Sequence, residues 1–200
     1  MIKVALLSLG LATPVLAQVG LAAGDEFTRY ELLAPGSGQF KIIYDVTVTT
    51  SGARLFFNPI RKGSEASDES VLDPVTGGPL PFRVVSGDAA RREGHPTADP
   101  ETSYIRIELP IPVPANGERR LSIIKTYRDP KSYTVDGDRI TFTRSLSITR
   151  NAVVLPAGFE LIGVNYPSQV LTEPDGRTRI SFWNPGPDPV SLVVSGRAIR

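Results

Sequence analysis

Two hundred residues with 40% hydrophobic side chains are enough for one large domain or two small ones with a buried core, which excludes an intrinsically disordered chain. Lys and Arg number 22 against 21 Asp and Glu, so no basic field speaks for a nucleic-acid partner. Cysteine is absent, which removes disulfides, a thiol nucleophile and a lipid anchor on an N-terminal cysteine, while 18 prolines and 18 glycines suit a chain that turns often.

The first predicted element is a leader. Lys3 supplies a short positive start, Val4 to Leu16 is apolar and uncharged, and Val15-Leu16-Ala17 carries residues a signal peptidase accepts. Cleavage after Ala17 is expected, giving an exported protein, periplasmic or extracellular, of bacterial type. The alternative is an uncleaved anchor using the uncharged run from Val4 to Gly24, and only then would the chain touch a membrane. Pro14, Gln18 and several glycines and serines weigh against a spanning helix. No Asn-x-Ser/Thr acceptor occurs, in keeping with a bacterial compartment.

After Gly24 the apolar pattern has a period of two. QFKIIYDVTVTT places Phe40, Ile42, Tyr44, Val46 and Val48 on one face. SYIRIELPI sets Ile105, Ile107 and Leu109 against Tyr104, Arg106 and Glu108. RRLSIIKTY aligns Leu121 with Ile123, although Ile124 breaks the alternation. DRITFTRSLSI is the clearest, with Ile140, Phe142, Leu146 and Ile148 opposite Thr141, Thr143, Ser145 and Ser147. Further strands are predicted over Phe159 to Tyr166, RISFW and Val190 to Ala198. β-Branched and aromatic residues fill these runs, and such alternation favours antiparallel sheets with one wet face. Asp136-Gly137 and Asp175-Gly176 mark hairpins, while Asn116-Gly117 and Gly77-Gly78 mark further turns. Arg61 to Asp73 and Gly87 to Thr102 read as irregular polar loops, hence candidate contact surfaces.

The predicted fold is all-β, an antiparallel β-sandwich of immunoglobulin or fibronectin type, in one or two units after an N-terminal signal helix. The division expected is a leader over 1–17, a β-sandwich domain over 18–126 and a smaller immunoglobulin-like unit over 127–200. The boundary is placed at Tyr127 to Tyr133, a charged stretch with Pro130. A single continuous sandwich remains the alternative.

Little chemistry is legible. The single histidine, His95, lies beside Pro96 in a polar stretch and reads as a solvated loop residue rather than a triad member. One histidine without cysteine gives no zinc ligand set, and no His-Glu-x-x-His, Walker loop, dinucleotide fingerprint or Gly-x-Ser-x-Gly elbow occurs. No catalytic, metal or cofactor residue is assigned. Glu101, Glu108, Glu160 and Glu173 keep a carboxylate-based glycan enzyme open, but nothing selects a pair among them. Arg144 falls by parity on the apolar face, so it either snorkels at a sheet edge or pairs with a buried acid.

Trp183 is the only tryptophan, and in RTRISFWNP it shares a strand face with Arg177, Arg179 and Ser181. Three readings compete. The strand bulges before Asn184-Pro185 and turns Trp183 into the core, which the usual burial of tryptophan favours. Trp183 instead stays outside and stacks on Arg179. Or it forms a platform for a sugar or a partner protein, together with Tyr166 or Tyr127.

ESVLDPVTGGPLPFRVVSG resembles hairpins of bacterial exported β-domains, and RNAVVLPAGFELIGVNYPSQVLTEPDGRTRISFWNP resembles an immunoglobulin-like or fibronectin-like accessory segment. The β-domains that precede catalytic domains in some secreted metallopeptidases are similar in style. The resemblance implies fold alone and transfers no functional residue. The functional expectation is an exported, non-enzymatic module that binds a protein or assembles in the bacterial envelope. Trp183, Arg179 and Tyr166 are its candidate contacts. The alternatives are a carbohydrate-binding module on Trp183 and nearby tyrosines, or the carboxylate enzyme. The expected partner is thus a protein or glycan of the envelope.

Overall fold

The computed structural model describes residues 25–199, and the predicted leader lies outside the described residues. Three sheets contain nearly all the regular structure. The seven-stranded sheet runs in the order β12 (Gln169–Thr172), β13 (Thr178–Trp183), β10 (Arg150–Val154), β1 (Glu26–Leu32), β2 (Gln39–Val48), β7 (Arg119–Arg128), β4 (Glu65–Leu72). A four-stranded sheet contains β11 (Phe159–Val164), β14 (Val190–Ala198), β9 (Arg139–Leu146) and β8 (Tyr133–Asp136). A three-stranded sheet contains β3 (Leu55–Pro59), β6 (Ser103–Glu108) and β5 (Phe82–Ser86). The protein is all-β, and among the described residues the strands pair antiparallel with one exception: β1 runs parallel to β10, Phe27 opposite Arg150.

The period-two pattern decides which faces meet. On β2, Phe40, Ile42, Tyr44 and Val46 are buried while the intervening residues are half-exposed. These side chains, with Tyr30, Leu121, Ile123, Val153 and Ile180, form the inner face of the seven-stranded sheet. Phe142 of β9 packs edge-on to Phe40 at 5.2 Å and tilted against Tyr30 at 5.5 Å, so the four-stranded sheet lies across that face. Ile105 and Ile107 of β6 join the same core. Each fully buried aliphatic or phenyl side chain contributes roughly 1.5–3 kcal/mol.

The hairpins follow their turn residues. Gly137, with φ of 59°, is the first residue of the two-residue loop joining β8 to β9. Residues 173–177 join β12 to β13 as a five-residue loop closed by the Glu173 amide donating to the Arg177 carbonyl at 2.8 Å, and Gly176 within it is left-handed, with φ of 83°. Glycine makes that conformation inexpensive.

Both stretches expected to be irregular contain structure. Arg61 to Asp73 includes β4, an edge strand with a bulge between Ser67 and Ser70. Its strand partner is β7 on one edge, the other edge is closed only at its end by the Leu72–Pro79 bridge, and the bulge and acids discourage pairing with another chain. Gly87 to Thr102 opens with α1 (Gly87–Arg92), whose N-cap is Ser86, its hydroxyl accepting from the Ala89 amide at 3.3 Å. A side chain at Gly87 would collide with the Asp99 carbonyl, so this close approach needs glycine. Ala90 and Ala98 pack with Val85 and Tyr104 in a second small cluster. Position 126/127 falls inside β7, and strands from both sides of it share the seven-stranded sheet and one core.

Candidate functional site

The outer face of the seven-stranded sheet carries the predicted contact residues. Parity and register place Trp183, Arg150 and Phe27 in one row across β13, β10 and β1. Neighbouring strands lie about 4.8 Å apart, so the row spans roughly 10 Å. Trp183 is 59% exposed, whereas the adjoining Phe182 is buried on the inner face. The strand therefore does not bulge to carry Trp183 inward, and the burial reading is corrected: regular pairing from Arg150↔Trp183 to Val154↔Arg179 keeps the alternation intact to the strand's end.

The stacking reading is corrected too. Arg179 lies two positions of the same face away, beyond Ser181, and its Nε is 3.3 Å from Glu173. Glu173 also binds Arg29 at 3.1 Å, and Arg29 binds Glu31 at 2.7 Å. Arg177 continues the lattice to Asp175 at 2.7 Å and Glu31 at 3.6 Å. Ala152 and Val154 face the same side yet are completely buried, with Arg29 opposite Ala152 and Glu31 and Arg179 opposite Val154 in the sheet register. At the sheet's other end, Asp25 pairs with Arg120 at 3.3 Å and with Arg150.

Tyr166 and Tyr127 are not beside Trp183. Tyr166 sits edge-on to Phe182 at 5.8 Å, against the core. Tyr127 is buried, its hydroxyl accepting from the Arg61 amide at 3.0 Å. A flat platform of Trp183 with either tyrosine is therefore not formed. The structure keeps Trp183 and Arg179 on one surface and takes Tyr166 away from it.

His95 is corrected from a solvated loop residue to a packed one. Its ring stacks on Phe57 at 5.5 Å and meets Tyr104 edge-on at 5.4 Å. The four acids singled out are each held by a base: Glu101 by Lys62 at 2.9 Å, Glu108 by Arg106 at 2.6 Å, Glu160 by Arg197 at 2.6 Å, and Glu173 by the arginines above. Among the described residues no group of three or more His, Cys, Asp or Glu could hold a metal ion.

Beneath the outer face lies a buried charged seam that the sequence reading only half found. Arg144 of β9 is 5% exposed and pairs with Asp129 at 3.4 Å. Its guanidinium also lies over the rings of Phe40, Tyr127 and Tyr30 at 5.1, 5.5 and 5.7 Å. Of the two readings of Arg144, pairing with an internal acid is the one realised. Burial pushes the Asp129 carboxyl up, but the Ser132 hydroxyl and amide, the Arg144 charge and the Lys131 amide outweigh it and hold it below the usual carboxylate range.

Lys125 of β7 completes the seam, 4% exposed, donating to Asn58 Oδ1 at 2.6 Å and lying over Tyr127 at 5.0 Å. Burial, aided by the Arg144 charge, pulls its pKa down to about 8. Its signal was in the sequence: parity with Leu121, Ile123 and Tyr127 places it inside. The seam joins all three sheets, with Lys125 on the first, Asn58 on the three-stranded and Arg144 on the four-stranded.

No family model matches the sequence, and no curated protein matches it. Among solved structures, an M1 zinc metallopeptidase from Deinococcus radiodurans is similar over 86% of this chain, at 12% identity and a TM-score of 0.51. An aminopeptidase N family protein from Idiomarina loihiensis is similar over 85%, at 9% identity and a TM-score of 0.49. The match spans 41% of the Deinococcus chain and 29% of the Idiomarina chain. At this identity the first likeness shows a shared fold and nothing about activity.

Proposed function

We propose that this chain is an exported, non-enzymatic module of the bacterial envelope that binds a protein through the outer face of its seven-stranded sheet. The observation that carries the reading is Trp183, more than half exposed on a face where the surrounding charges are already paired with one another. An aromatic anchor beside satisfied polar neighbours is the common anatomy of a binding hot spot. Phe27 and Arg150 extend the anchor, and Arg179 contributes to its polar rim. Tyr166 serves as support behind Phe182 rather than as a contact.

The test is capture from bacterial envelope extract with the wild-type chain, Trp183→Ala and Tyr166→Phe. The expected result is a discrete protein retained by wild type and Tyr166→Phe and lost with Trp183→Ala. Equal recovery with Trp183→Ala removes this face from the account. A glycan array on the same proteins tests the carbohydrate reading, which lacks a second ring beside Trp183. Cell fractionation tests export.

A further inference from the structure

A cleft of about 500 Å³ opens where the turn after β4, the segment after β6 and the start of β7 converge. Its volume falls in the range of small-molecule sites. Val75, Leu80, Leu109, Ile111 and Leu121 give it an apolar lining. Leu109 and Leu121 form a buried floor, while Val75 and Ile111, at 83% and 64% exposure, stand at the rim. The polar side chains that border it are almost all committed. Asp73 accepts from the Val75 and Thr76 amides at 2.8 and 3.4 Å. The Thr76 hydroxyl accepts from Gly78 at 3.2 Å. Glu118 holds Arg120 at 2.8 Å, and Arg120 reaches Asp25.

Arg119 is the exception. Its Nε is closed off from solvent without a hydrogen-bond acceptor, and among the described residues no carboxylate forms an ion pair with it. A buried donor without an acceptor is costly, and a guanidinium edge matches a carboxylate with two parallel donors.

We propose that this cleft binds an aliphatic carboxylate, its chain laid on Leu109 and Leu121 and its head group held by Arg119. The committed state of the other polar side chains selects this class. A peptide would bring several amides that the lining has no free side chains to meet, whereas a fatty acid brings one anionic group and otherwise only methylenes. This inference stands apart from the protein-binding reading, since the cleft and Trp183 are formed by different strands.

Calorimetric titration of the full chain with sodium decanoate tests it, with octanoate and 1-decanol as comparisons. The expected result is one saturable site that loses about tenfold or more in affinity with Arg119→Met. Octanoate binds more weakly than decanoate, by up to about fourfold per methylene lost. Decanol shows no preference for wild type over Arg119→Met. Ile111→Glu, at an exposed rim position that leaves the core untouched, also abolishes binding, with circular dichroism confirming the fold. Absence of saturable binding to wild type, equal decanoate affinity in Arg119→Met, or unchanged affinity in Ile111→Glu overturns the proposal.

Discussion

Between the inner faces of the sheets, Lys125 and Arg144 are held away from water by two carbonyl oxygens, those of the Asn58 side chain and the Pro59 backbone, one carboxylate and three aromatic rings. On the outer face, Arg29, Arg177 and Arg179 share Glu31, Glu173 and Asp175 within reach of solvent. The same residue types do different work on the two sides. Inside, each charge has few partners and no water to replace a lost one, so its arrangement is demanding and specifies how the three sheets meet. Outside, water and counter-ions screen the lattice, so its members are individually dispensable and the surface is free to serve binding.

The largest expected difference between the faces comes from Asp129→Ala. It strands Arg144 in the interior, and we expect a loss of about 3–5 kcal/mol in urea or guanidinium unfolding. A loss under 1 kcal/mol would mean that the rings alone satisfy Arg144. The pair Asp129→Asn with Arg144→Met is expected to recover part of that loss, which a double-mutant cycle measures.

Next in size is a pH effect. In the folded chain Lys125 sheds its proton near pH 8, whereas an unfolded lysine holds it to about pH 10.5. Between those values the unfolded state binds the extra proton, so this group makes stability rise with pH above 8. The full relief is up to about 3 kcal/mol, most of it gained by pH 10. The buried tyrosines act in the opposite sense above pH 10, because burial raises the pKa of Tyr30 and Tyr44 and folding then disfavours their ionisation. Lys125→Met is expected to flatten the rise between pH 8 and 10 in denaturant midpoints. An unchanged slope would place the titration elsewhere.

A smaller change is expected outside. Glu173→Gln removes the shared acid of the lattice and is expected to cost about 1 kcal/mol or less, with the difference fading as salt is raised. A cost equal to that of Asp129→Ala would erase the distinction between the faces. The smallest effect is expected from Trp183→Ala, within about 0.5 kcal/mol of wild type in thermal unfolding, as for an exposed side chain outside the core.

Much of this division was readable beforehand. The inward faces of β2, β6, β7 and β9 alternate in the sequence as they do in the fold, because burial on one side of a pleated strand imposes period two. β14 was legible to its ends, Val190–Ala198. What escaped is what depends on distant partners. EASDESVL has no apolar stripe, and β4 forms because β7 offers it an open edge. Six residues of α1 are too few for a helical period to register. His95 looked solvated because nothing local shows that Phe57 and Tyr104 close on it. The usual burial of tryptophan favours an inward Trp183, whereas the alternation of RISFW, which the structure follows, points it outward. Asp129 was invisible as the counter-ion of Arg144 until β9 and the end of β7 were brought together.

The parallel pairing of β1 with β10 has a consequence for assembly. β1 is the middle strand of its sheet, with three strands on either side, and its second neighbour is synthesised long after it. Until Phe27 meets Arg150, the layer exists only as two separate halves, so closure waits on a contact between remote parts of the chain. Such a topology delays the final collapse and leaves backbone edges open meanwhile. A version trimmed through Leu32 would lose the keystone rather than an ornament, and the remaining strands would have no common sheet to join.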